Sequence, residues 1–120
     1  MAEAAETSDW TAPDLAVFAT GAALNTLTTS LQTDFDRGVV TTGRPVLEPR
    51  VTSAEPQNDP QLARISDCGQ SDEWIKVHRD TRQPVDANPG GRRRIAAVVE
   101  VQPDGRWRVS DFAVQAIGSC

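Results

Sequence analysis

Two apolar runs on either side of the turn Pro103-Asp104-Gly105 constrain the fold of this chain more than any other feature. Residues 94–102 and 106–117 are rich in the β-branched and aromatic residues that favour strands. The Asp-Gly step between them is typical of a tight hairpin turn. We therefore predict an antiparallel hairpin made of these two runs.

The second strand of this hairpin changes phase partway along. Trp107 and Val109 fall on one face of a regular strand, whereas Phe112 and Val114 fall on the other. One extra residue at a β-bulge near Ser110 and Asp111 brings all four onto the same face. We predict a bulge and a bend at this point.

The only long helical pattern runs from a cap at Thr11, with Pro13 in the first turn, to Arg37 before Gly38. A second apolar patch on Leu15, Phe18 and Ala22 is either covered by the N-terminal segment or forms a subunit contact. The main apolar stripe recurs at helical spacing and is expected to face a sheet. It consists of Val17, Leu24, Leu27, Leu31 and Phe35.

Three further strands are expected between this helix and the hairpin, with a mobile loop at 81–91. They are an edge strand at 39–42 and 46–53 that Pro45 and Pro49 interrupt, a second strand at 62–68 and a third at 73–79. We predict a flexible lead over residues 1–10 and a single α+β domain over 11–120. In it one long N-terminal helix packs on a bent antiparallel sheet of four to five strands. Its expected core includes Leu27, Leu31, Phe35, Val99, Trp107 and Val109.

The two cysteines bear on the compartment of the protein. A bridge between Cys68 and Cys120 would tie down the last strand and stabilise the domain by about 4 kcal/mol in the chain-entropy model. The alternative is two unrelated thiols, whereas a zinc site would need further ligands at defined spacing. The acidic start of the sequence carries no secretory signal. The chain is thus either cytosolic or the mature part of an exported precursor, and a bridge favours export.

Charge narrows the range of partners. The formal net charge of −5 argues against nucleic-acid binding, because neutralising phosphates requires an excess of basic residues. No run of apolar residues is long enough to cross a membrane. Lys76 is the only lysine among 12 basic residues, a bias typical of a GC-rich genome such as that of an actinobacterium.

Several short motifs follow one another in a recognisable order. They are Ile65-Ser66-Asp67-Cys68, Gly-Gly-Arg-Arg-Arg at 90–94, Gly105-Arg106-Trp107-Arg108-Val109 and the final Gly118-Ser119-Cys120. In this order, over roughly residues 11–120, the chain resembles secreted proteins and lipoproteins of actinobacteria with a nuclear transport factor 2-like, or cystatin-like, fold. The resemblance implies that fold, export and a Cys68–Cys120 pairing. It implies no activity.

Few residues are suited to catalysis. His78 and Asp80 point to the same face of a strand, but a catalytic dyad also needs a nucleophile or an electrophilic stabiliser. Proton-transfer sites of this fold pair a carboxylate with a tyrosine or another acid. The sequence contains no tyrosine that could be paired with Asp67 in this way. We predict no catalytic residue, no metal site and no cofactor.

The basic residues of the hairpin are the remaining candidate site. Arg92, Arg93 and Arg94, with Arg106 and Arg108 across the hairpin, are interpreted either as a patch for an anionic partner or as a charged face that protects a sheet edge.

The leading functional hypothesis is a non-enzymatic, exported cell-envelope domain that binds or scaffolds an envelope protein, with a homodimer as a further option. The alternative is a small-molecule-binding domain or small enzyme that uses the concave face of the sheet.

Overall fold

A computed structural model of the protein describes residues 2–86 and 90–120. The loop predicted over 81–91 includes residues 87–89, which lie outside this range. The described residues form three helices, α1 (Ala2–Ala5), α2 (Asp14–Phe18) and α3 (Gly21–Asp36). They also form six strands, β1 (Val39–Gly43), β2 (Arg50–Glu55), β3 (Leu62–Gln70), β4 (Trp74–His78), β5 (Arg92–Val101) and β6 (Trp107–Val114). None of these helices is long and apolar enough to cross a lipid bilayer.

The strands form two antiparallel sheets. The larger sheet has the order β2-β3-β5-β6, and the smaller one pairs β1 with β4. In the centre of the larger sheet β3 pairs with β5 along its whole length, from Leu62 opposite Glu100 to Gln70 opposite Arg92. The protein is therefore mainly β.

The predicted α+β, cystatin-like arrangement is wrong, first because no single helix spans residues 11–37. Ala19 and Thr20 are extended and separate α2 from α3. Ala19 forms a parallel bridge with Val109, and the Thr20 N–H donates to the Val109 carbonyl oxygen at 2.9 Å. Gly21 then takes a φ of +54°, which glycine tolerates best. Pairing with the sheet thus replaces helical hydrogen bonds at this point.

The prediction of one bent sheet of four to five strands is also wrong. Strands lie where the apolar runs predicted them, within a few residues at each end. However, β1 pairs with β4, whereas the chain after Pro45 continues toward β2 and the larger sheet. Helix α3 meets the larger sheet along β6 and also contacts β1. No long helix lies across the face of the four-stranded sheet, so the two layers that we expected are absent from the described residues.

The segment expected to be a flexible lead packs against the rest of the protein. Ala5 is buried together with Leu15 and Leu31, and Trp10 packs against this cluster. Leu15 is thus covered by the N-terminal segment, whereas Phe18 is 58% exposed.

Two polar contacts join the smaller sheet to the N-terminal part of the chain, one from the turn after α1 and one from α3. The hydroxyl of Ser8, which is buried, donates to the carbonyl oxygen of Val39. The ammonium of Lys76 on β4 lies 3.1 Å from a carboxylate oxygen of Asp34 on α3. The Asp34 carboxylate is buried, but Lys76 is half exposed and keeps part of its hydration. This ion pair is therefore less costly to form than a fully buried one.

The predicted β-bulge is confirmed. Val98 lies opposite Asp111 and Val99 lies opposite Val109, so Ser110 is the extra residue of β6. The extra residue puts Phe112 on the same face as Val109, as the sequence pattern required.

The predicted core is only partly correct. Leu31 is buried, whereas Phe35 and Trp107 are 48% and 45% exposed. Leu27, Val99 and Val109 are half-buried. Within the stripe, Leu24 and Leu31 pack with Ala5 of α1 and Leu15 of α2, whereas Phe35 at the end of α3 stays exposed.

The disulfide between Cys68 and Cys120 is confirmed. It joins residues 52 positions apart, with their Cα atoms separated by 5.8 Å. The bridge attaches the C-terminal segment to the middle of the larger sheet at β3.

We expect Leu31→Ala to lower the free energy of unfolding by roughly 2–5 kcal/mol, because it leaves a cavity between α3 and the N-terminal segment. Leu27→Ala, at a half-buried leucine one turn earlier, is the matched control and should cost less. Urea denaturation measures both values. A neutral Leu31→Ala would show that this helical cluster does not support the fold.

Reduction of the disulfide should lower the free energy of unfolding by about 4 kcal/mol, because it frees a long loop in the unfolded chain. Thermal melts with and without reductant measure the shift, and the bridged chain should be two hydrogen atoms lighter by intact mass. The double variant Cys68→Ser/Cys120→Ser is the control, and its melting temperature should not respond to reductant. Alkylation of both thiols in the unreduced protein would contradict the bridge.

Candidate functional site

A groove of about 420 Å³ lies on one face of the four-stranded sheet, at the end where β5 begins. Side chains of β2, β3 and β5 line it together with the segment that leads into β2. Its charged lining residues are Glu48, Arg50, Arg92 and Arg94, together with Asp67, whose position in β3 directs its side chain to the opposite face.

Strand register brings three arginines to this groove. On β5, Arg92 lies opposite Gln70 and Arg94 lies opposite Cys68. Residues two apart on a strand share a face, so both arginines point the same way. On the other side of β3, Arg50 lies opposite Ser66. We call the surface formed by Arg50, Arg92 and Arg94 the arginine groove.

The guanidinium groups of the arginine groove are not paired with a carboxylate of the described chain, although Glu48 lines the same groove. Among residues 2–86 and 90–120, none of the three guanidinium groups forms an ion pair. Within the described chain, the Arg94 guanidinium donates only to the neutral hydroxyl of Ser66, at 3.2 Å. Asp67 is buried, and one of its oxygens accepts the Glu48 backbone N–H at 3.0 Å. The groove therefore has more positive than negative side chains, on a chain of net charge −5.

The backbone that carries Arg92 and Arg94 is held on both sides. On one side it pairs with β3, and on the other it bonds to the C-terminal segment. The N–H groups of Gln115 and Gly118 donate to the carbonyl oxygens of Arg94 and Arg92 at 2.9 and 2.8 Å. The Arg94 N–H in turn donates to the Ser119 hydroxyl at 2.8 Å. Because Cys120 is bridged to Cys68, the disulfide fixes this segment beside the groove.

The structure does not bring together the five arginines predicted as one patch. Arg93 points to the opposite face of β5, where its guanidinium reaches the Gln115 carbonyl oxygen at 3.5 Å. Arg106 and Arg108 lie at the other end of the hairpin, because Arg108 pairs with Glu100. The six residue steps along β5 from Arg94 to Glu100 correspond to roughly 20 Å. The predicted patch is therefore divided into two separate ends.

Arg50 is the groove residue that the sequence analysis missed. It is distant from the hairpin in sequence and follows Pro49, which obscures the strand pattern. The only available signal was the alternation within β2, and this alternation does not reveal the pairing of β2 with β3.

Arg108 has a structural role at the hairpin turn. It binds the Asp104 carboxylate through two nitrogens at 2.8 and 3.1 Å, and its Nε donates to the Ala16 carbonyl oxygen of α2. The hydrogen bond from Arg108, followed by that from the Arg106 backbone N–H, lowers the pKa of Asp104 to about 2. Because the Arg108 guanidinium already binds Asp104 and Ala16, it is not available to bind a partner.

The other candidates from the sequence are not assembled into a site. His78 is exposed at the end of β4, and its side chain makes no hydrogen bond to any described residue. Asp80 lies within ion-pair distance of Arg79 instead. In the described part of the chain, no group of three or more His, Cys, Asp or Glu residues is placed to hold a metal ion.

Comparisons with known proteins identify a similar fold but no family. No family model matches the chain, and no curated protein matches it. Among solved structures, the crystal structure of the intermembrane space region of chloroplast protein ARC6 is similar, with a TM-score of 0.61 and 16% sequence identity. The match covers 96% of this chain and 92% of that one. At this identity the likeness concerns the fold alone, and the resemblance to actinobacterial secreted proteins stays a prediction.

We expect Arg108→Gln to raise the pKa of Asp104 from about 2 toward its ordinary value of 3.8, because the main hydrogen-bond donor to the carboxylate is lost. A carboxyl whose pKa is lowered by folding stabilises the fold above its unfolded pKa, and this contribution is lost as the pH falls toward 2. NMR titration of the Asp104 side-chain carbon measures the pKa. Arg93→Gln, on the opposite face and remote from Asp104, should leave the value unchanged. An unshifted pKa in Arg108→Gln would contradict the ion pair.

Proposed function

We propose that this chain is a non-enzymatic, exported cell-envelope domain whose arginine groove binds an acidic segment of a partner protein. The observation that carries the proposal is the arginine groove itself. Three guanidinium groups share one surface, and no carboxylate among the described residues is paired with any of them. Guanidinium groups form strong, two-pronged hydrogen bonds with carboxylates, which makes a carboxylate-bearing ligand the natural occupant.

The spacing of the arginines favours an extended peptide. Arg92 and Arg94 are two residues apart on one strand, roughly 7 Å. Arg50 lies two strands across and two residues along from Arg94, roughly 12 Å. Carboxylates at every second position of an extended peptide repeat at about the same interval as Arg92 and Arg94. One peptide can therefore contact more than one arginine at the same time.

Two observations support a location outside the cytosol. Disulfides persist mainly in oxidising compartments, and this one fixes the segment beside the groove. The similar structure from ARC6 belongs to an intermembrane space region of that protein. We therefore propose that the chain is exported, that it is attached to the cell envelope and that its partner carries an acidic segment.

Binding of a fluorescein-labelled peptide of alternating Glu and Ser residues, followed by anisotropy, tests the proposal. We expect Arg92→Gln/Arg94→Gln to weaken binding at least tenfold, because hydrogen bonds to charged groups each contribute about 1.5–3 kcal/mol. The matched control is Arg82→Gln/Arg106→Gln, which removes the same charge from exposed sites outside the groove. This control should bind the peptide as the native protein does.

Three outcomes would contradict the proposal. The native protein fails to bind the Glu-Ser peptide, it binds a matched Gln-Ser peptide equally well, or the control double variant loses as much affinity as the groove variant. Equal competition by inorganic phosphate at the same charge concentration would instead identify a site for small anions.

A further inference from the structure

The face of the four-stranded sheet opposite the arginine groove is apolar. Along β5, Ile95 and Ala97 alternate with Arg94 and Ala96, so they point away from the groove. The pairs Val51–Ile65 and Ile95–Val114 extend this apolar set across the neighbouring strands. The bulge at Ser110 keeps β6 in phase with them. We call the following six residues the apolar sheet face: Leu47, Val51, Ile65, Ile95, Phe112 and Val114.

Leu47 joins this face through a close contact at Gly69. A methyl group on Gly69 would lie 2.7 Å from the Ile95 Cδ1 atom and 3.3 Å from the Leu47 Cδ2 atom. The absence of a side chain at this position therefore lets Leu47 and Ile95 approach each other over the strand.

None of these six side chains is buried within one chain. Leu47, Val51 and Val114 are 51%, 65% and 49% exposed, and the other three are half-buried. The buried aliphatic side chains lie mostly elsewhere, in the helical cluster and in the smaller sheet. A β-sheet is stable when at least one face is covered by another layer. In the described residues that layer is missing over this part of the sheet.

The accessible surface of the chain is large for its mass. A compact monomer of this size exposes roughly 6,300 Å². The chain exposes 7633 Å², and it is a slab of 52 × 31 × 17 Å. The excess of roughly 1,300 Å² exceeds the 800 Å² or so that each partner buries in a standard protein interface. There is therefore enough surplus surface for a stable dimer.

We infer that the apolar sheet face is the interface between two copies of this chain, packed face to face about a two-fold axis. The second copy supplies a sheet of the same twist, and the two sheets together form the two-layer structure that one chain lacks. If both copies buried their excess, roughly 2,600 Å² would be removed from water, which is within the range of obligate dimers.

Charge is compatible with self-association at this face. The ionisable side chains on it are Asp67 and Arg93. Asp67 is buried and accepts the Glu48 N–H, and Arg93 is half-buried and bonded to the Gln115 carbonyl oxygen. The net negative charge of the chain is therefore carried elsewhere. Face-to-face packing also leaves both arginine grooves on the outer surfaces, so the inference does not depend on the proposed function.

Sedimentation velocity between 1 and 100 µM tests the inference. We expect the native protein to sediment as a dimer of about 26 kDa, twice the 13.0 kDa of the chain. Val51→Asp/Val114→Asp should sediment as a monomer while keeping its circular dichroism spectrum, because both residues are exposed within one chain. The matched control Val17→Asp/Phe18→Asp changes two similarly exposed residues on α2 and should remain dimeric.

A native protein that is monomeric at 100 µM would overturn the inference. A dimer that persists in Val51→Asp/Val114→Asp, or that dissociates only in the α2 variant, would show that another surface is used. Binding of the Glu-Ser peptide by the monomeric variant separates the two proposals, because the groove is intact in that variant.

Discussion

The antiparallel pairing of β3 with β5 determines the direction of every side chain at the centre of the four-stranded sheet, because a shift of one residue would exchange its two faces. In the observed register Arg92 and Arg94 share one face with Ser66, whereas Ile95 and Ile65 share the other. The Cys68–Cys120 bridge starts from the same strand and holds the C-terminal segment beside the arginines. Both the cationic groove and the apolar sheet face therefore depend on this one register.

The hydrophobic core lies beside this sheet and not beneath it. Leu15 and Leu31 pack with the N-terminal segment, and Val40 and Val77 are buried in the smaller sheet. The Asp34–Lys76 ion pair connects these two regions. Stability should consequently be concentrated at the helical end of the molecule, where the apolar contacts lie. The open end of the large sheet relies on backbone pairing, on the disulfide and, in the inferred dimer, on a second chain.

The candidate site was only half predictable from the sequence. Arg92 and Arg94 stand out within a basic run, but the predicted strand began at Arg94. The start of β5 at Arg92 in the structure is what places the two on one face and Arg93 on the other. Arg106 and Arg108 follow in the same hairpin, but their distance from Arg94 depends on the length of paired strand between them. The placement of Arg50 depends on which strand pairs with β3, and this contact is formed between residues far apart in the chain. Trp107 was expected in the core, but its side chain is 45% exposed near the hairpin turn.

Local pattern alone determined the strands, the turn at Asp104-Gly105 and the bulge at Ser110, since each of these follows from the side-chain period or from the conformational preference of a few neighbouring residues. Tertiary structure decided the rest. The helix is interrupted where Ala19 pairs with Val109, and β1 pairs with β4 in a separate sheet. In both cases local hydrogen bonds compete with hydrogen bonds to a distant strand. The energies of the competing bonds are similar, so only the contacts of the complete fold decide between them.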